Sequence, residues 1–390
     1  MKKVCVVTGN RAEYGLLRTV IADIISSSEL SLQLVVTGSH LSPEFGQTSR
    51  EIEDDGYVID RRVEMLLSSN SSVGVCKSMG LGIIGFGDVL SELQPDILLV
   101  LGDRYEIFSA AATAMTLCIP IAHIHGGEST EGAIDEAIRH SITKMSHLHF
   151  VAADEYLSRV IQLGEDPSRV FNVGGLGVDA IARLRLMGKS ELENSLDFKF
   201  GDKNLIITYH PVTLDSVTST SELNELLSSL SKLEDTKLIF TMPNADAGGR
   251  ELCRMIEIFV KSNSNAVYFE SLGQLRYLSA LQYVDGVIGN SSSGLLEAPS
   301  MSVGTINIGE RQAGRLKADS VIDCTPERNS ISDGINKLYS NEFQKAVQKQ
   351  LPPYGRGGAS KKIIEILANC DHQNLLRKKF NDLPVVHEFN

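Results

Sequence analysis

The chain has no tryptophan and lacks the features that mark most specialised classes of protein. Its six cysteines are scattered, without CxxC or zinc-finger spacing, and such a distribution is typical of reduced thiols. No unbroken apolar run approaches the roughly 18 residues that a membrane span needs. The N-terminus also becomes polar too early for a secretory signal. These absences predict a soluble, cytoplasmic protein with no membrane partner.

Positive charge is scarce relative to negative charge. There are 37 lysines and arginines against 49 aspartates and glutamates, which gives a formal net charge of −12. Nucleic acids and anionic membranes attract proteins with an excess of positive charge. We therefore exclude both as main partners and expect any cationic binding site to be local.

Motifs that indicate a cofactor or a familiar nucleophile are missing too. There is no Walker A lysine motif, no zinc-ligand spacing, no HExxH sequence and no GxSxG elbow. The first predicted strand-to-helix turn, residues 8–15, reads TGNRAEYG, which is not the GxGxxG fingerprint of dinucleotide-binding proteins. We expect neither a metal ion nor a redox cofactor.

Short apolar strands alternate with amphipathic helices in two successive series. This alternation predicts parallel, doubly wound sheets, and 390 residues are enough for two domains. We expect an α/β protein with two Rossmann-like domains, residues 1–185 and 190–368, that face a central cleft. The polar tract 187–203 is the predicted linker, and the tail, residues 369–390, is expected to pack back on the first domain.

Polar side chains follow two wholly apolar strands of the first series. The run LLVL is followed by Gly102, Asp103 and Arg104, and IPIAHI is followed by His125, two glycines and Glu128. Ligands of open α/β sheets bind beyond the carboxyl ends of the strands, so these groups should converge on one crevice. Acids, bases and cations together predict acid–base chemistry on a small anionic substrate.

A third cluster follows on a predicted helix. Asp135, Arg139 and His140 have the spacing i, i+4 and i+5, so the first two share a helix face. An ordinary surface ion pair, worth about 0.3–0.5 kcal/mol, is the alternative explanation for this spacing. Its position directly after the glycine turn favours a place in the site.

The second series carries groups suited to a diphosphate. His210 ends its first strand, and the sequence GNSSSG, residues 289–294, opens a helix that contains Glu297. Backbone amides and hydroxyl groups at such a helix start bind phosphate without a lysine, although a serine-rich helix cap is the common alternative. Arg11 in the first turn of the chain and two arginines in ERQAGR, Arg311 and Arg315, add cations.

Eight motifs occur in the order known from one family. They read GNRAEYG, VTGSHLSPEFG, LGDRYEIF, HIHGGE, IDEAIRHSITK, HPVT, GNSSSG followed by Glu297, and INIGERQAGR. From about residue 3 to residue 365, the chain resembles the hydrolysing UDP-N-acetylglucosamine 2-epimerases of sialic acid biosynthesis. The wording SHLSPEFG and VEMLLSS also resembles relatives that act on the UDP-diacetamido-trideoxy sugar leading to legionaminic acid.

The resemblance implies a GT-B-like pair of Rossmann domains that assembles as a homodimer or homotetramer. It implies the net conversion of UDP-N-acetylglucosamine and water into N-acetylmannosamine and UDP. The implied route is anti elimination of UDP to a 2-acetamidoglucal, followed by addition of water with inversion at C2. No cofactor takes part in this chemistry.

The resemblance also implies roles for individual residues. The carboxylates for proton transfer at C2 are Asp103, Glu128 and Asp135, which Arg139 and His140 orient. The residues that would bind UDP are Arg11, Arg104, His210, Asn244, Asn290, Ser291, Ser292, Glu297 and Arg315. Several relatives have glutamate where this chain has His125, so His125 either takes over an acid–base role or leaves that role to another group.

Three alternatives stay open at this point. The preferred sugar is either UDP-N-acetylglucosamine or its 4-acetamido-6-deoxy analogue, because no motif reports contacts at C4 and C6. A GT-B glycosyltransferase would share the predicted domains, although the carboxylate cluster and the lack of an acceptor-binding extension argue against it. A nucleotide-sugar sensor would bind the same ligand without turning it over.

Overall fold

The structure, a computed structural model, describes residues 1–43, 47–67, 71–129, 134–210, 216–242, 249–270 and 272–382. The chain divides into two compact units. The first contains Met1–Ala180 and the residues from Gly357 onward, and the second contains Ile181–Arg356. Each unit is an α/β domain built on a parallel sheet, as the alternating pattern predicts.

In the first unit, the described strands form a seven-stranded sheet in the order β3-β2-β1-β4-β5-β6-β7, and every pairing is parallel. The strands are β1 (Lys2–Thr8), β2 (Leu30–Thr37), β3 (Arg61–Val63), β4 (Ile97–Leu101), β5 (Ile121–Ile124), β6 (Leu148–Val151) and β7 (Val170–Asn172). The helices are α1 (Arg11–Ser26), α2 (Ser49–Asp54), α3 (Ser72–Leu93), α4 (Tyr105–Thr116), α5 (Ile134–Met145), α6 (Asp154–Gln162) and α7 (Leu176–Arg183).

The second unit repeats this plan with six described strands in the order β10-β9-β8-β11-β12-β13. The strands are β8 (Lys203–Thr208), β9 (Thr236–Thr241), β10 (Ala266–Phe269), β11 (Gly286–Gly289), β12 (Gly304–Ile308) and β13 (Val321–Cys324). Its helices are α8 (Lys189–Leu196), α9 (Ser216–Leu230), α10 (Gly249–Ser262), α11 (Gly273–Ala280), α12 (Ser293–Ser300), α13 (Arg328–Leu338) and α14 (Asn341–Lys349). Two further helices, α15 (Ala359–Asn369) and α16 (His372–Leu375), belong to the first unit.

The central strands are apolar because helices cover both faces of each sheet. All five residues of β4 and all five of β12 are buried. Such strands form continuous hydrophobic runs, which are the strongest sequence signal of a parallel sheet. The short edge strands β3 and β13 carry charged residues and were not predicted, because that signal is absent from them.

The tract 187–203 contains a helix that packs in the second unit, where the sequence suggested a linker. Leu192, Leu196 and Phe200 are buried in the core beneath β8 and β11, together with Ile206 and Val287. These three apolar residues recur every four positions, which is helical spacing. The polar residues between them hide that pattern.

The chain returns to the first unit earlier than the sequence suggested. The predicted second domain extends to residue 368, but α15 packs against α1 and buries Ile363 and Leu367 in the first core. The carboxylate of Asp179 fixes the start of this return, accepting from the amide of Ser360 at 3.2 Å and from that of Gly358. Beyond α15, Arg169 donates to the carbonyl of Leu375 at 2.8 Å.

Helix α3 is long and apolar enough, by length and composition alone, to cross a membrane. Its sequence contains no long unbroken apolar run, because Lys77, Asp88 and several glycines and serines interrupt its hydrophobic residues. One third of its most apolar stretch (33%) is buried within the fold. Phe86 and Leu90 lie fully buried in the first unit, where α3 packs against α4 and β3. A core helix passes the same test, so the finding does not by itself indicate a membrane protein.

Candidate active site

Each sheet reverses its direction of winding at one point, which we call the switch point. The first switch point lies between β1 and β4, and the second lies between β8 and β11. Ligands of doubly wound sheets bind beyond the carboxyl ends of the strands that flank a switch point. The loops after these four strands, together with the loop after β5 and helix α5, carry most of the residues that the sequence singled out.

Asp103 and Arg139 form an ion pair beside the first switch point. Asp103 follows β4 after Gly102, whose φ of +79° costs a glycine little. Arg139 lies on α5, and its Nη2 donates to Oδ2 of Asp103. The arginine side chain is 5% exposed and the aspartate side chain 23%. The pair is therefore partly desolvated, while the carboxylate still reaches the surface of the unit.

Further contacts hold Arg139 in place. Its Nη1 donates to the backbone carbonyl of Glu128 at 2.8 Å and lies 3.4 Å from Oε2 of Glu136. Oε1 of Glu136 lies 3.1 Å from Nε2 of His140 and accepts from the hydroxyl of Ser129 at 3.1 Å. Glu136 was not predicted as a site residue, although its i, i+3 and i, i+4 spacing from Arg139 and His140 was an available signal.

His125 and Glu128 form a second pair in the loop after β5. Nδ1 of His125 is 3.0 Å from Oε1 of Glu128, and its Nε2 accepts from the amide of Leu176 at 3.5 Å. The proton of a neutral imidazole therefore lies on Nδ1. His125 has a φ of +63°, which residues other than glycine rarely adopt. Its amide donates to the carbonyl of Phe150 at 2.9 Å, which fixes the turn.

The Asp103 carboxyl has a perturbed affinity for protons. Burial raises its pKa above the usual value, and the charges of Asp135 and Glu128 raise it further, while Arg139 opposes the change. A carboxyl with a raised pKa is better suited to take up and return a proton than an ordinary carboxylate. Asp103 combines this raised pKa with a carboxylate that still reaches the surface of the unit, and it therefore fits a general base.

Two buried glutamates near the first switch point were not predicted. Glu13 is 6% exposed and accepts from the amide of Gly9 and from Nδ2 of Asn10, both at 2.8 Å. Glu106 is 1% exposed, and its Oε2 is 3.5 Å from Nε of Arg104. Burial raises the pKa of Glu13 to about 8, and the charge of Glu106 contributes. The Asn-x-x-Glu spacing of a capping box was the available signal for Glu13.

Arg11 is the first residue of α1, shortly after β1, and is paired only weakly. Its Nε is 3.2 Å from Oε2 of Glu51, and its side chain is 75% exposed. Exposed ion pairs of this kind contribute little to stability. The pair therefore offers little resistance to an anionic ligand that would recruit the guanidinium group.

In the second unit, Asn290 links the two loops at the switch point. Its Oδ1 accepts from the amide of His210 at 2.7 Å, and its Nδ2 donates to the carbonyl of His210 at 2.8 Å. The backbone carbonyl of Asn290 accepts from Arg311 at 2.9 Å and from Gln312 at 2.8 Å. Asn290 is 1% exposed. Its side chain is thus engaged in holding the His210 loop in position.

The serine-rich start of α12 lies beside this link. Gly289 has a φ of +140°, and a Cβ there would lie 1.9 Å from the carbonyl oxygen of Thr208, so only glycine fits. Ser291 accepts from the amide of Ser293 at 3.4 Å. Ser292 caps the helix without a side-chain hydrogen bond among the described contacts. The loop thereby presents amides and hydroxyls at a helix N-terminus, which favours anions.

Glu297 lies one turn into α12. Its Oε2 is buried and has no hydrogen-bond partner among the described residues, and burial raises the pKa of this carboxyl. Leaving such an atom unpaired costs about 1–3 kcal/mol, a cost that a ligand hydroxyl donating to it would remove. Nearby, the hydroxyls of Tyr277 and Ser293 are 2.6 Å apart.

The remaining predicted residues are less informative. Arg315 is exposed in the loop after β12. Asn244 lies outside the described residues, so the structure does not test it. Within the described part of the chain, no three histidine, cysteine, aspartate or glutamate side chains are grouped as a metal site would require.

Comparison with known proteins identifies the family. The UDP-N-acetylglucosamine 2-epimerase family matches residues 22–368. The chain belongs to this family. It is 41% identical over 384 residues to the GDP/UDP-N,N'-diacetylbacillosamine 2-epimerase (hydrolyzing) of Campylobacter jejuni, covering 98% of this chain and 99% of that protein. It is also 41% identical over 389 residues to polysialic acid biosynthesis protein P7 of Escherichia coli, covering 98% of each. The resemblance seen in the motifs is confirmed.

A solved structure supports the fold independently. The UDP-GlcNAc 2-epimerase from Neisseria meningitidis, crystallised with UDP-GlcNAc, matches with a TM-score of 0.77. The match covers 94% of this chain and 99% of that chain at 21% sequence identity. Similarity at this level of identity establishes the fold, and it confirms the prediction of two doubly wound α/β domains.

Proposed function

We propose that the protein is a hydrolysing 2-epimerase of a UDP-2-acetamido sugar, which converts UDP-N-acetylglucosamine and water into N-acetylmannosamine and UDP. One observation carries the proposal. The Asp103–Arg139 pair lies with the His125–Glu128 pair at the carboxyl ends of β4 and β5, in a chain that belongs to a 2-epimerase family. Such a cluster provides bases and acids for proton transfer at one crevice.

The proposed reaction balances without an oxidant or a reductant. In the first half, a base removes the proton from C2, the electron pair forms the C1–C2 double bond, and the C1–O bond breaks to release UDP. In the second half, the hydroxyl of water adds to C1 and a proton adds to C2 from the opposite face. The C2 proton is barely acidic, so the developing charge on the leaving group needs stabilisation by cations and dipoles.

The carboxylates of the first unit supply the proton transfers in this proposal. Asp103 is the base at C2, because its pKa is raised and Arg139 fixes its position. Glu128, hydrogen-bonded to His125, returns the proton on the other face. His125 thus works with a carboxylate three residues later, where several relatives have glutamate at its own position. Asp135 tunes the pKa of Asp103, and His140 holds Glu136 against Arg139.

The second unit supplies most of the proposed contacts with UDP, and two arginines of the first unit add to them. The amides and hydroxyls at Ser291 and Ser292 hold the diphosphate at the start of α12. The unpartnered oxygen of Glu297 accepts from a ribose hydroxyl. Asn290 positions the loop that carries His210. The further residues proposed to contact the nucleotide are Arg11, Arg104, Asn244 and Arg315.

Release of free sugar without an acceptor tests the proposal. The full chain is incubated with UDP-N-acetylglucosamine in water, and the products are identified by NMR. A hydrolysing 2-epimerase yields UDP and N-acetylmannosamine in equal amounts. Release of N-acetylglucosamine, with C2 unchanged, would rule out epimerisation. Binding of UDP-N-acetylglucosamine and of its 4-acetamido-6-deoxy analogue without turnover of either would indicate a sensor. Turnover only with an added acceptor would indicate a glycosyltransferase.

A second substrate has specific support. The Campylobacter jejuni relative, 41% identical along nearly its whole length, is named for N,N'-diacetylbacillosamine. The same elimination and hydration can proceed on UDP-2,4-diacetamido-2,4,6-trideoxyglucose, because C1 and C2 carry the same groups in both sugars. Turnover of the two UDP sugars side by side decides between them through their kcat/KM ratio.

We also propose that the protein is a homodimer or a homotetramer, as the resemblance implies. Size-exclusion chromatography with light scattering measures the mass of the particle directly. A particle of two or four times 42.5 kDa supports the proposal, and a monomer at micromolar concentration would contradict it.

A further inference from the structure

A fully buried histidine lies next to the proposed catalytic pair without touching it. His123 is 0% exposed in β5, between apolar neighbours. Its Nε2 is 2.8 Å from the carbonyl oxygen of Gly102, and its Nδ1 is 3.2 Å from the hydroxyl of Thr143. Burial lowers the pKa of this imidazole to about 3, so it is neutral at physiological pH.

The two contacts fix the proton of the imidazole. A carbonyl oxygen only accepts, so Nε2 carries the hydrogen and donates to Gly102. Nδ1 is then an acceptor that faces the Thr143 hydroxyl, which also lies 3.0 Å from the carbonyl of Arg139. The single hydroxyl proton of Thr143 is shared between Nδ1 and that carbonyl, so each ring nitrogen of the buried imidazole has a partner.

Each of the two hydrogen-bond partners of His123 adjoins one member of the Asp103–Arg139 ion pair. Gly102 is the residue before Asp103, and Thr143 lies one helical turn after Arg139 on α5. The imidazole therefore spans from the strand-end turn that carries the aspartate to the helix that carries the arginine. Both positions are well defined, because β4 and α5 are regular elements.

The loop after β5 packs closely against the contact between His123 and Thr143. Gly126 passes so close that a Cβ there would lie 3.1 Å from both Nδ1 of His123 and the hydroxyl oxygen of Thr143. A side chain at this position would therefore push the histidine and the threonine apart. The first glycine of the HIHGGE motif thus has a packing reason that is independent of any ligand.

We propose that His123 is a positioning residue, whose hydrogen bonds to Gly102 and Thr143 set the separation of Asp103 from Arg139. The inference rests on the proposed function for its effect on turnover. His123 does not reach the substrate in this account. It acts through the Asp103–Arg139 pair, by keeping the carboxylate base at a fixed distance from the guanidinium group.

The chain offers matched controls for both partners. Thr113 is a buried threonine on α4 whose hydroxyl donates to the carbonyl of Ser109 at 2.8 Å, four residues earlier. Thr143 makes the same intrahelical bond to Arg139. Thr113→Val removes that bond and a 3.4 Å contact with the carbonyl of Ile83, and neither contact involves the ion pair. His147 is 7% exposed, and its Nδ1 accepts from the amide of Ile121 at 3.1 Å, at the first residue of β5 and away from the ion pair.

The first experiment compares Thr143→Val with Thr113→Val in the full chain. We expect Thr143→Val to lower kcat about tenfold while KM changes less than about twofold, since only the transition state depends on the exact placement of the base. Thr143→Ser keeps the hydroxyl and should restore most of the loss. Thr113→Val should leave kcat within about twofold of the wild type. Equal effects of the two valine variants would overturn the proposal.

A double-mutant cycle separates positioning from general destabilisation. Arg139→Lys weakens the pair through which His123 is proposed to act. In that background, Thr143→Val should cost less than about twofold, because coupled residues are not additive. A full second tenfold loss would show that Thr143 acts by another route. His123→Gln should follow the same pattern, and His147→Gln should not.

One readout does not depend on turnover. The pKa of the Asp103 carboxyl, measured by carbon-13 NMR, should rise in Thr143→Val, because Arg139 no longer lies at its fixed distance. It should be unchanged in Thr113→Val. An Asp103 pKa equal to that of the wild type in both variants would overturn the positioning role. If the wild type releases no sugar from either UDP substrate, the proposed function fails, and this NMR comparison still decides the role of His123.

Discussion

The two switch points have the same winding but opposite chemical character. At the first, between β1 and β4, charged groups dominate: Arg139, Glu13 and Glu106 are buried, and Asp103 is half-buried. At the second, between β8 and β11, amides, hydroxyls and backbone groups dominate around Asn290. The fold provides the same crevice twice, and the side chains decide what happens in each.

The difference follows from the two tasks that the proposed reaction sets, which are proton transfer at the sugar and binding of the nucleotide. Proton transfer needs groups that change their charge, and burial with like charges raises the pKa of such carboxyls. Holding a nucleotide needs fixed donors that keep their charge and position, which a helix N-terminus supplies. Glu297 is the carboxylate of the second site, and its free oxygen is suited to accept a hydrogen bond.

The largest expected effect tests the proton-transfer groups at the first switch point. Asp103→Asn keeps the size of the side chain but removes the base, so kcat should fall by about a thousandfold. UDP affinity, measured by calorimetry, should change by less than about threefold, because most of the proposed contacts with UDP lie in the second unit.

Asp323→Asn is the control for this variant. Asp323 pairs with Lys317 at 2.7 Å and is largely exposed in the second unit, so its kcat should stay within about twofold of the wild type. A turnover by Asp103→Asn close to that of this control would place the base elsewhere.

A smaller effect tests nucleotide binding at the second switch point. Glu297→Gln replaces an acceptor oxygen by a donor, so we expect KM to rise about tenfold while kcat changes less than about twofold. Steady-state kinetics separate the two constants. A fall in kcat with an unchanged KM would show that Glu297 acts in the chemical step. The two switch points would then not differ in their roles.

A third prediction concerns stability and pH at the first switch point. Glu13 has a pKa of about 8 in the folded state against 4.5 as its ordinary value. Between these two values the folded state binds more protons than the unfolded state, so the free energy of unfolding falls as pH rises. Glu13→Gln should remove this contribution, on the order of 1 kcal/mol or more between about pH 5 and pH 8.

Urea denaturation at several pH values measures that slope. Only the change in slope matters, because the amide also loses one hydrogen bond at every pH. Slopes that are the same in the wild type and in Glu13→Gln would show that the buried carboxyl does not titrate in this range.

The smallest effect concerns Arg11. Its exposed pair with Glu51 contributes little, so Arg11→Ala should change the free energy of unfolding by less than about 0.5 kcal/mol. UDP affinity should fall about threefold if the guanidinium group meets the diphosphate. An unchanged UDP affinity, with an unchanged unfolding curve, would show that Arg11 does not contact the nucleotide.

The central fold was predictable because its signals are local. Strands such as β4 and β12 are continuous apolar runs, and the βα alternation indicates parallel sheets. The edge strand β3 and helix α8 were missed, because polar residues interrupt their patterns. The return of α15 to the first unit was placed too late, because nothing in its own sequence reports that it packs against α1.

The site was predictable as a set of residues but not as a set of contacts. Asp103 and Arg139 were expected in one crevice, because Asp103 follows a strand end and Arg139 lies on the predicted helix after the glycine turn. Their direct pairing depends on how α5 lies against the sheet, which only tertiary structure shows. Glu136 and His123 look like an ordinary helix acid and a core histidine in sequence. Their importance arises from the neighbours that the fold brings to them.

The most direct measurement is the isotope content of the released sugar. The full chain is incubated with UDP-N-acetylglucosamine, and separately with the diacetamido-trideoxy analogue, in deuterated water. Removal and return of the C2 proton by carboxylates that exchange with solvent predicts deuterium at C2 of the free epimerised sugar, together with one UDP for each sugar released. Protium retained at C2 would contradict the elimination route and the role of the Asp103–Arg139 pair in it.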